Sequence, residues 1–258
     1  MATVPPDIRA RGNIVARVPG VIAGIPVMEE VFHQVSQNIE ITVLRGDGSH
    51  VQAGDVLCTI EGDARSILTG ERVALNFLQL LSGIATRTAK FVELVSGTDA
   101  RIVDTRKTTP GLRLLEKYAV TVGGGRNHRM ALDDAVMIKD NHIVAAGGIT
   151  AAVRRARSAV PHTMTITVEC ETLEHVDEAI AAGADVLLLD NMDNSMRAES
   201  VRRVAGRALT EASGGITEET AAEIAATGVN ILSIGALTHS KQALDISLDL
   251  TEALGEQT

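Results

Sequence analysis

Aromatic residues are scarce in this sequence: three Phe, one Tyr and no Trp among 258 residues, 2% in all. Val, Ile, Leu and Ala must therefore fill any core, and that usage suits buried parallel strands covered by helices. Cysteine is equally sparse. Cys58 and Cys170 are too few for a disulfide framework or a Cys-rich metal centre, and each reads as a small buried hydrophobe. No apolar run reaches the roughly 18 residues that a membrane span needs. The N-terminal MATVPPDIRARGN has neither the charged nor the apolar region of a signal peptide. A soluble, cytoplasmic protein is expected. Basic residues are also in deficit, with a formal net charge of −9, which argues against nucleic acid as a partner because such binding needs a basic face.

What is present is a hydrophobic content of 45%, enough for a sizeable core in one large domain or two smaller ones. Up to about Gly62 the chain reads as short strands and turns. RGNIVARVPGVIAG is broken at Pro19-Gly20 and Gly24, and PVMEEVFHQVSQN predicts a helix with Val27, Val31 and Val35 at spacing four. Gly-Asp-Gly and Ala-Gly-Asp punctuate ITVLRGDGSHVQAGDVLCTIEG. That pattern resembles biotinyl and lipoyl carrier domains, but it has no Lys on a hairpin, so it reads as structural. From Ala64 to Ser96 the period is helical: Leu68, Leu75, Leu78, Leu81, Ile84 and Thr88 form one face. Gly70 and Gly83 are expected at breaks or close helix contacts.

From Ala100 onward, strand-like and helix-like runs alternate. The strand candidates are ARIVDT, AVMIKDN, TMTITVEC, DVLLLDN, GRALTEAS and VNILSIG, with helical runs such as TLEHVDEAIAAG and ITEETAAEIAATG between the later ones. Alternation of this kind predicts parallel strands with right-handed crossovers. Glu169, Asp190 and Glu211 recur 21 residues apart and are expected at strand ends. Polar groups on that face point to a (β/α) barrel site, with six strands rather than eight. A doubly wound open sheet is the alternative.

The stretch from Asp104 to Ile143 carries seven Lys or Arg against five acids. Arg106-Lys107 follows a strand-like run, His128-Arg129 follows Gly-Gly-Gly, and Lys139 ends AVMIKDN. Cations at strand ends and glycine-rich turns can converge on one small, multiply anionic ligand. Gly-rich turns at Ser213-Gly214-Gly215 and Gly235 suit a phosphate, although one such Gly alone would be ordinary turn chemistry. Glu169 and Asp190 could hold Mg²⁺, accept from sugar hydroxyls, or cap helices. His128 is a candidate acid or donor, His142 has weaker claims, and His239 is expected to brace a loop. Arg72 in TGERVALNFLQLLSG has apolar neighbours and reads first as an Arg lying along its helix. These residues suit a transferase, a lyase or a phosphosugar isomerase.

DTRKTTPGLRLLEKYAV, GGGRNHR and MIKDNHI, with VEC, LLLDN, EASGG, IGALTHS, GERVALN and PGVIAG, resemble the quinolinate phosphoribosyltransferase family over nearly the whole chain. The resemblance implies an N-terminal α/β sandwich over 1–82, with a contribution from 240–258, and an incomplete, open α/β barrel over 83–239. It implies transfer of phosphoribosyl from phosphoribosyl pyrophosphate to quinolinate with loss of CO₂, giving nicotinate mononucleotide and pyrophosphate on the route to NAD. It implies Arg106, Lys107, His128, Arg129 and Lys139 around quinolinate, with Thr105 beside them. Glu169 and Asp190 would meet the ribose and Mg²⁺, directly or through water, and Ser213, Gly214, Gly215 and Gly235 the 5′-phosphate. Lys107, Lys139, Glu169 and Asp190 are the expected catalytic set, with no covalent nucleophile. A homodimer, sometimes assembled further, is implied, with Arg72 entering the partner's pocket. There it would find the anionic partner that a buried Arg needs, since Glu71 points about 100° away around a helix. The family's usual N-terminal helical segment would precede Ala2-Thr3-Val4-Pro5, which here follow Met1 directly, as in a shortened chain or a misassigned start. The competing expectations are a paralogue acting on another aromatic carboxylate and a binding protein without turnover.

Overall fold

A computed structural model describes residues 3–6 and 8–254. Met1, Ala2, Asp7 and residues 255–258, which include the outer limits of the expected domains and the start of the Ala2-Thr3-Val4-Pro5 motif, lie outside the described residues. In chain order the elements are β1 (Arg9–Ala16), β2 (Gly20–Val21), α1 (Ile25–Val35), β3 (Glu40–Val43), β4 (His50–Val51), β5 (Val56–Asp63) and α2 (Ala64–Leu94). Then come β6 (Arg101–Val103), α3 (Arg113–Val122), β7 (Val136–Ile138), α4 (Asp140–Ala146), α5 (Ile149–Ala159) and β8 (Ile166–Cys170). The remainder are α6 (Leu173–Ala182), β9 (Val186–Asp190), α7 (Asn194–Val204), β10 (Leu209–Ser213), α8 (Glu218–Ala226), β11 (Ile231–Ser233), α9 (Ala236–His239) and β12 (Ile246–Leu254). The chain divides into two compact units, Met1–Ala89 with Leu114–Gly124 and Ser240–Thr258, and Lys90–Arg113 with Gly125–His239.

The first unit holds a four-stranded sheet in the order β12-β1-β5-β3, antiparallel throughout. The turns between β3 and β5 bend at Gly48 and Gly54, with φ of 85° and 94°, conformations that an L side chain adopts only with strain. Helix α1 buries Ile25, Met28 and Phe32, at spacings of three and four. The Val27, Val31 and Val35 face expected from the sequence is not the buried one, and Val35 is exposed. A spacing of four alone drifts around a 3.6-residue helix, and the bulkier Met28 and Phe32 fill the core. Helix α2 runs unbroken for 31 residues, so Gly70 and Gly83 mark close approaches rather than breaks. A Cβ on Gly83 would stand 1.8 Å from the Gln242 carbonyl oxygen, and one on Gly70 2.8 Å from Phe32 Cδ1. Of the expected α2 face, Leu75, Leu78, Leu81, Ile84 and Thr88 are buried. Ile67 takes the inward place in the first turns, where Leu68 is only half-buried.

The second unit is built on a six-stranded sheet in the order β6-β11-β10-β9-β8-β7, with every pair parallel. All six strand candidates of the sequence form strands. The order is the cyclic order of a barrel opened between its first two strands, and it never reverses. A doubly wound sheet would need a reversal and a switch point. The chain after α3 returns beside β6 through a parallel bridge from Val103 to Arg126. Its partners at the strand end are Ile102 O, accepting from Arg126 N at 2.9 Å, and Arg126 O, accepting from Asp104 N at 3.2 Å.

The equal spacing of the three acids does not put them at one level. Glu169 and Glu211 both pair with Leu188 in register, while Asp190 pairs with Ser213 two residues further on. Asp190 ends β9 and Glu169 is one residue short of the end of β8, but Glu211 lies in the middle of β10 and is 2% exposed. Neither Glu169 nor Asp190 caps a helix. The caps are Thr172 before α6, whose side chain accepts from His175 N, and Asp193 before α7, accepting from Met196 N.

Candidate active site

At the C-terminal ends of the parallel strands lies a cavity of about 720 Å³. Thr105, Arg106 and Lys107 reach it from the end of β6, His128 and Arg129 from the loop after Arg126, and Lys139 from the end of β7. Asp190, Glu211, Ser213, Gly214, Gly215 and Gly235 line it from β9, β10 and β11. Every candidate from the second unit is therefore a lining residue except Glu169, which joins through Lys139.

The cationic loops are held by their own side chains. Thr105 Oγ1 accepts from Lys107 N at 3.1 Å, and Thr238 Oγ1 donates to Lys107 O at 2.8 Å. Arg113 braces the turn rather than facing the cavity. Its guanidinium donates to Thr108 Oγ1 at 3.0 Å, Met130 O at 3.1 Å and Arg106 O at 3.3 Å. Asp104, fully buried, accepts from His128 N at 2.8 Å. His128 Nδ1 accepts from Arg129 N at 2.7 Å, and its Nε2 stands 3.5 Å from Glu211 Oε1. The Arg129 guanidinium donates to Ala135 O at 3.2 Å and contacts Met137 Sδ at 3.4 Å. Burial first, and then the like charge of Arg106, pulls the Arg129 guanidinium below its usual value, with Asp134 and Glu211 opposing. Two crowded guanidinium groups are what a multiply anionic ligand relieves.

Facing them is an acidic group. Glu169, Glu171 and Asp190 offer carboxylate oxygens that all lie within 4.8 Å of one another. Burial, followed by the charge of Glu169, raises the Asp190 carboxyl; Glu171 adds to the rise, and Lys139 and Lys107 oppose it. Lys139 Nζ donates to Glu169 Oε2 at 2.8 Å. Asn191, with φ 52°, donates to Asp190 Oδ2 at 2.7 Å. His142 serves the fold here, its Nδ1 accepting from Lys139 N at 3.0 Å at the start of α4.

At the third side of the cavity the chain turns through Gly214 and Gly215, with φ of 89° and 62°. A Cβ on Gly214 would meet Asn191 Oδ1 at 2.8 Å, and one on Gly235 would meet His239 Cδ2 at 3.0 Å and Lys107 Cδ at 3.3 Å. Backbone N–H groups in such turns form an anion cradle. His239 lines the cavity, a place beyond the loop-bracing role expected of it.

Arg72 belongs to the first unit. Its side chain is 69% exposed, with NH2 3.8 Å from Glu71 Oε1, and neighbouring Val73 is also exposed. Within one copy this is the Arg lying along its helix that the spacing favours: Ala74 and Leu75 face inward while Arg72 and Val73 face out. Flexible side chains also bring Glu71 nearer than its angular position suggested. Glu171, Asn191 and Asp104 were missed. Glu171 had a signal in Glu-Cys-Glu, two residues past Glu169 on the same side of an extended chain, whereas the left-handed Asn191 had none beyond its residue type.

The family described as "Quinolinate phosphoribosyl transferase, N-terminal domain" matches residues 1–82, and its C-terminal counterpart matches residues 84–249. The "Probable nicotinate-nucleotide pyrophosphorylase (carboxylating)" of Bacillus subtilis (strain 168) is 48% identical over 239 residues, 93% of this chain and 83% of the relative. The "Nicotinate-nucleotide pyrophosphorylase (carboxylating)" of Mycobacterium leprae (strain TN) is 46% identical over 260 residues, 96% of this chain and 89% of the relative. The crystal structure of NadC from Streptococcus pyogenes has a TM-score of 0.94 at 42% identity, covering 98% of this chain and 90% of that one.

Proposed function

The chain belongs to the quinolinate phosphoribosyltransferase family, and from that premise we propose that it joins quinolinate to phosphoribosyl pyrophosphate and releases pyrophosphate and CO₂. A proton from solvent takes the place of the lost carboxylate on the ring, so the product is nicotinate mononucleotide, a precursor of NAD. The observation that carries this reading is one cavity lined by Arg106, Lys107, Arg129 and Lys139 together with the Asp190 carboxylate and the Gly214-Gly215 turn. Two carboxylates on one ring need several cations to leave water, and each charge-assisted hydrogen bond contributes roughly 1.5–3 kcal/mol. Arg106 and Arg129 would take the quinolinate carboxylates. Lys107 and Lys139 would stand between the acceptor and the pyrophosphate and stabilise charge on the leaving group.

Ser213, Gly214, Gly215 and Gly235 would hold the 5′-phosphate, fixing the anomeric carbon in line with the ring nitrogen. No side chain is needed as a nucleophile, because the ring nitrogen attacks. Glu169, Glu171 and Asp190 fit Mg²⁺, since three clustered carboxylates match a hard, oxygen-seeking cation. When bound, that ion supplies positive charge to the pyrophosphate. A homodimer belongs to the proposal, with Arg72 of each copy entering the other's acceptor pocket. In its support, Arg72 is exposed, and its ion pair among the described residues is a long contact to Glu71, of a kind worth little in solvent. A cytoplasmic location goes with it. The test is turnover with quinolinate and with nicotinate, each with phosphoribosyl pyrophosphate and Mg²⁺. Turnover of quinolinate alone is expected, and turnover of nicotinate alone would overturn the reading.

A further inference from the structure

Glu211 is a buried carboxylate in a cavity assigned to a dicarboxylate ligand, where its charge by itself repels that ligand. Its side chain is 3% exposed, and it sits in the middle of β10 rather than at the strand end. What it faces is His128, with Oε1 3.5 Å from Nε2. The other ring nitrogen is already committed, since Nδ1 accepts from Arg129 N at 2.7 Å. An imidazole nitrogen that accepts from an N–H carries no proton. A neutral ring then carries its proton on Nε2, the nitrogen that stands 3.5 Å from Glu211 Oε1.

We infer that Glu211 is a positioning residue for the acceptor half of the site. It acts through His128 by holding the imidazole as the neutral Nε2–H form, which in turn anchors the Arg129 backbone. The chain of contacts continues to the guanidinium, whose direction is set by Ala135 O and Met137 Sδ. The orienting logic is that of a second carboxylate or carbonyl fixing which nitrogen of a histidine is protonated. The consequence for charge is specific. His128 serves as a hydrogen-bonding ring rather than as a cation, and the dicarboxylate is matched by Arg106, Lys107, Arg129 and Lys139 of the same copy, with Arg72 of the other copy in the proposed dimer. Glu211 thus acts on Arg129 through the backbone N–H that His128 Nδ1 holds, while Ala135 O and Met137 Sδ set the guanidinium itself.

The inference rests on the proposed acceptor, so its test has one arm that needs no ligand. In that arm, two-bond ¹H–¹⁵N spectra of the wild-type protein, assigned by loss of signal in His128→Asn, read the tautomer directly. The Nε2–H pattern is expected, and an Nδ1–H or doubly protonated pattern would overturn the inference. In the second arm, calorimetry measures quinolinate affinity in the wild type, Glu211→Gln, His128→Asn and the double variant. Removal of a repelling charge would tighten quinolinate binding, whereas loss of the positioning contact weakens it. We expect about tenfold weakening in Glu211→Gln, the size of a typical contact coupling, unchanged phosphoribosyl pyrophosphate affinity, and no further effect of Glu211→Gln once His128 is Asn. Tighter binding, or equal losses in both backgrounds, would overturn it. Wild-type protein that ignores quinolinate would defeat the proposed acceptor, and the spectra would still decide the Glu211–His128 relationship.

Discussion

Lys139 Nζ lies 2.8 Å from Glu169 Oε2, tying the end of β7 to the neighbouring strand β8. A cation assigned to the acceptor half thereby neutralises a carboxylate assigned to the sugar half. Its field also reaches Asp190, where it opposes the rise caused by burial and by Glu169. Lys139→Met should push the Asp190 carboxyl higher still. The protonated form would then persist to higher pH, and Mg²⁺-dependent binding of phosphoribosyl pyrophosphate would fail at a higher pH than in the wild type. Calorimetry across a pH series reads this, and an unmoved acid limb would remove the coupling.

Asp190 itself should trade stability for function. Its folded-state value is raised, so the fold favours the protonated carboxyl. That contribution is fully present below the ordinary carboxylate range and is lost as pH rises through the folded-state value. At pH 7 the ionised group therefore costs stability, and Asp190→Asn should raise Tm by on the order of 2 °C with no gain near pH 3. The same variant should lose Mg²⁺-dependent sugar binding and keep quinolinate binding. A lower Tm at pH 7 would contradict the sign.

Arg129→Ala should weaken quinolinate binding far more than phosphoribosyl pyrophosphate binding. The guanidinium lines the cavity, and burial with the like charge of Arg106 holds it below its usual value. Equal losses by calorimetry would break the division of the cavity into acceptor and sugar halves.

Gly83→Ala tests the fold of the first unit. Its Cβ would sit 1.8 Å from the Gln242 carbonyl oxygen, so backbone must move. Overpacking of this kind costs about 1–3 kcal/mol. The melting temperature should fall while KM for both substrates stays the same in the remaining folded protein. An unchanged Tm would mean that the segment after Ser240 yields freely.

The proposed sharing of sites between copies predicts complementation. Arg72→Ala and Arg129→Ala should each be nearly inactive. Mixed by unfolding and refolding, half the dimers pair one of each, and in those dimers one site carries both lesions and the other neither. Activity should return to about a quarter of wild type. No recovery in dimers shown by mass spectrometry to be mixed would place Arg72 outside the partner's site.

The six parallel strands were legible because each is a short run bounded by turn or polar residues and most alternate with helical runs, and those signals are local. So were the motifs around Arg106, Arg129, Lys139 and Gly214, whose residue types declare anion chemistry wherever the chain carries them. The close contact expected at Gly83 was legible as a possibility but its partner was not, and neither was the Ile25, Met28 and Phe32 face. The first depends on Gln242 far along the chain, and the second on which side chains the core has room for.

The sequence by itself determined the kinds of groups and the strands that carry them, since turn chemistry and residue alternation act over a few residues. The tertiary structure decided which groups meet. Register set Glu169 and Glu211 level with Leu188 and left Asp190 two residues beyond. It also brought Lys139 onto Glu169 and turned His128 toward Glu211. Those distances are fixed by the stagger of strands and the path of loops, which depend on the packing of the whole unit rather than on any stretch of neighbouring residues.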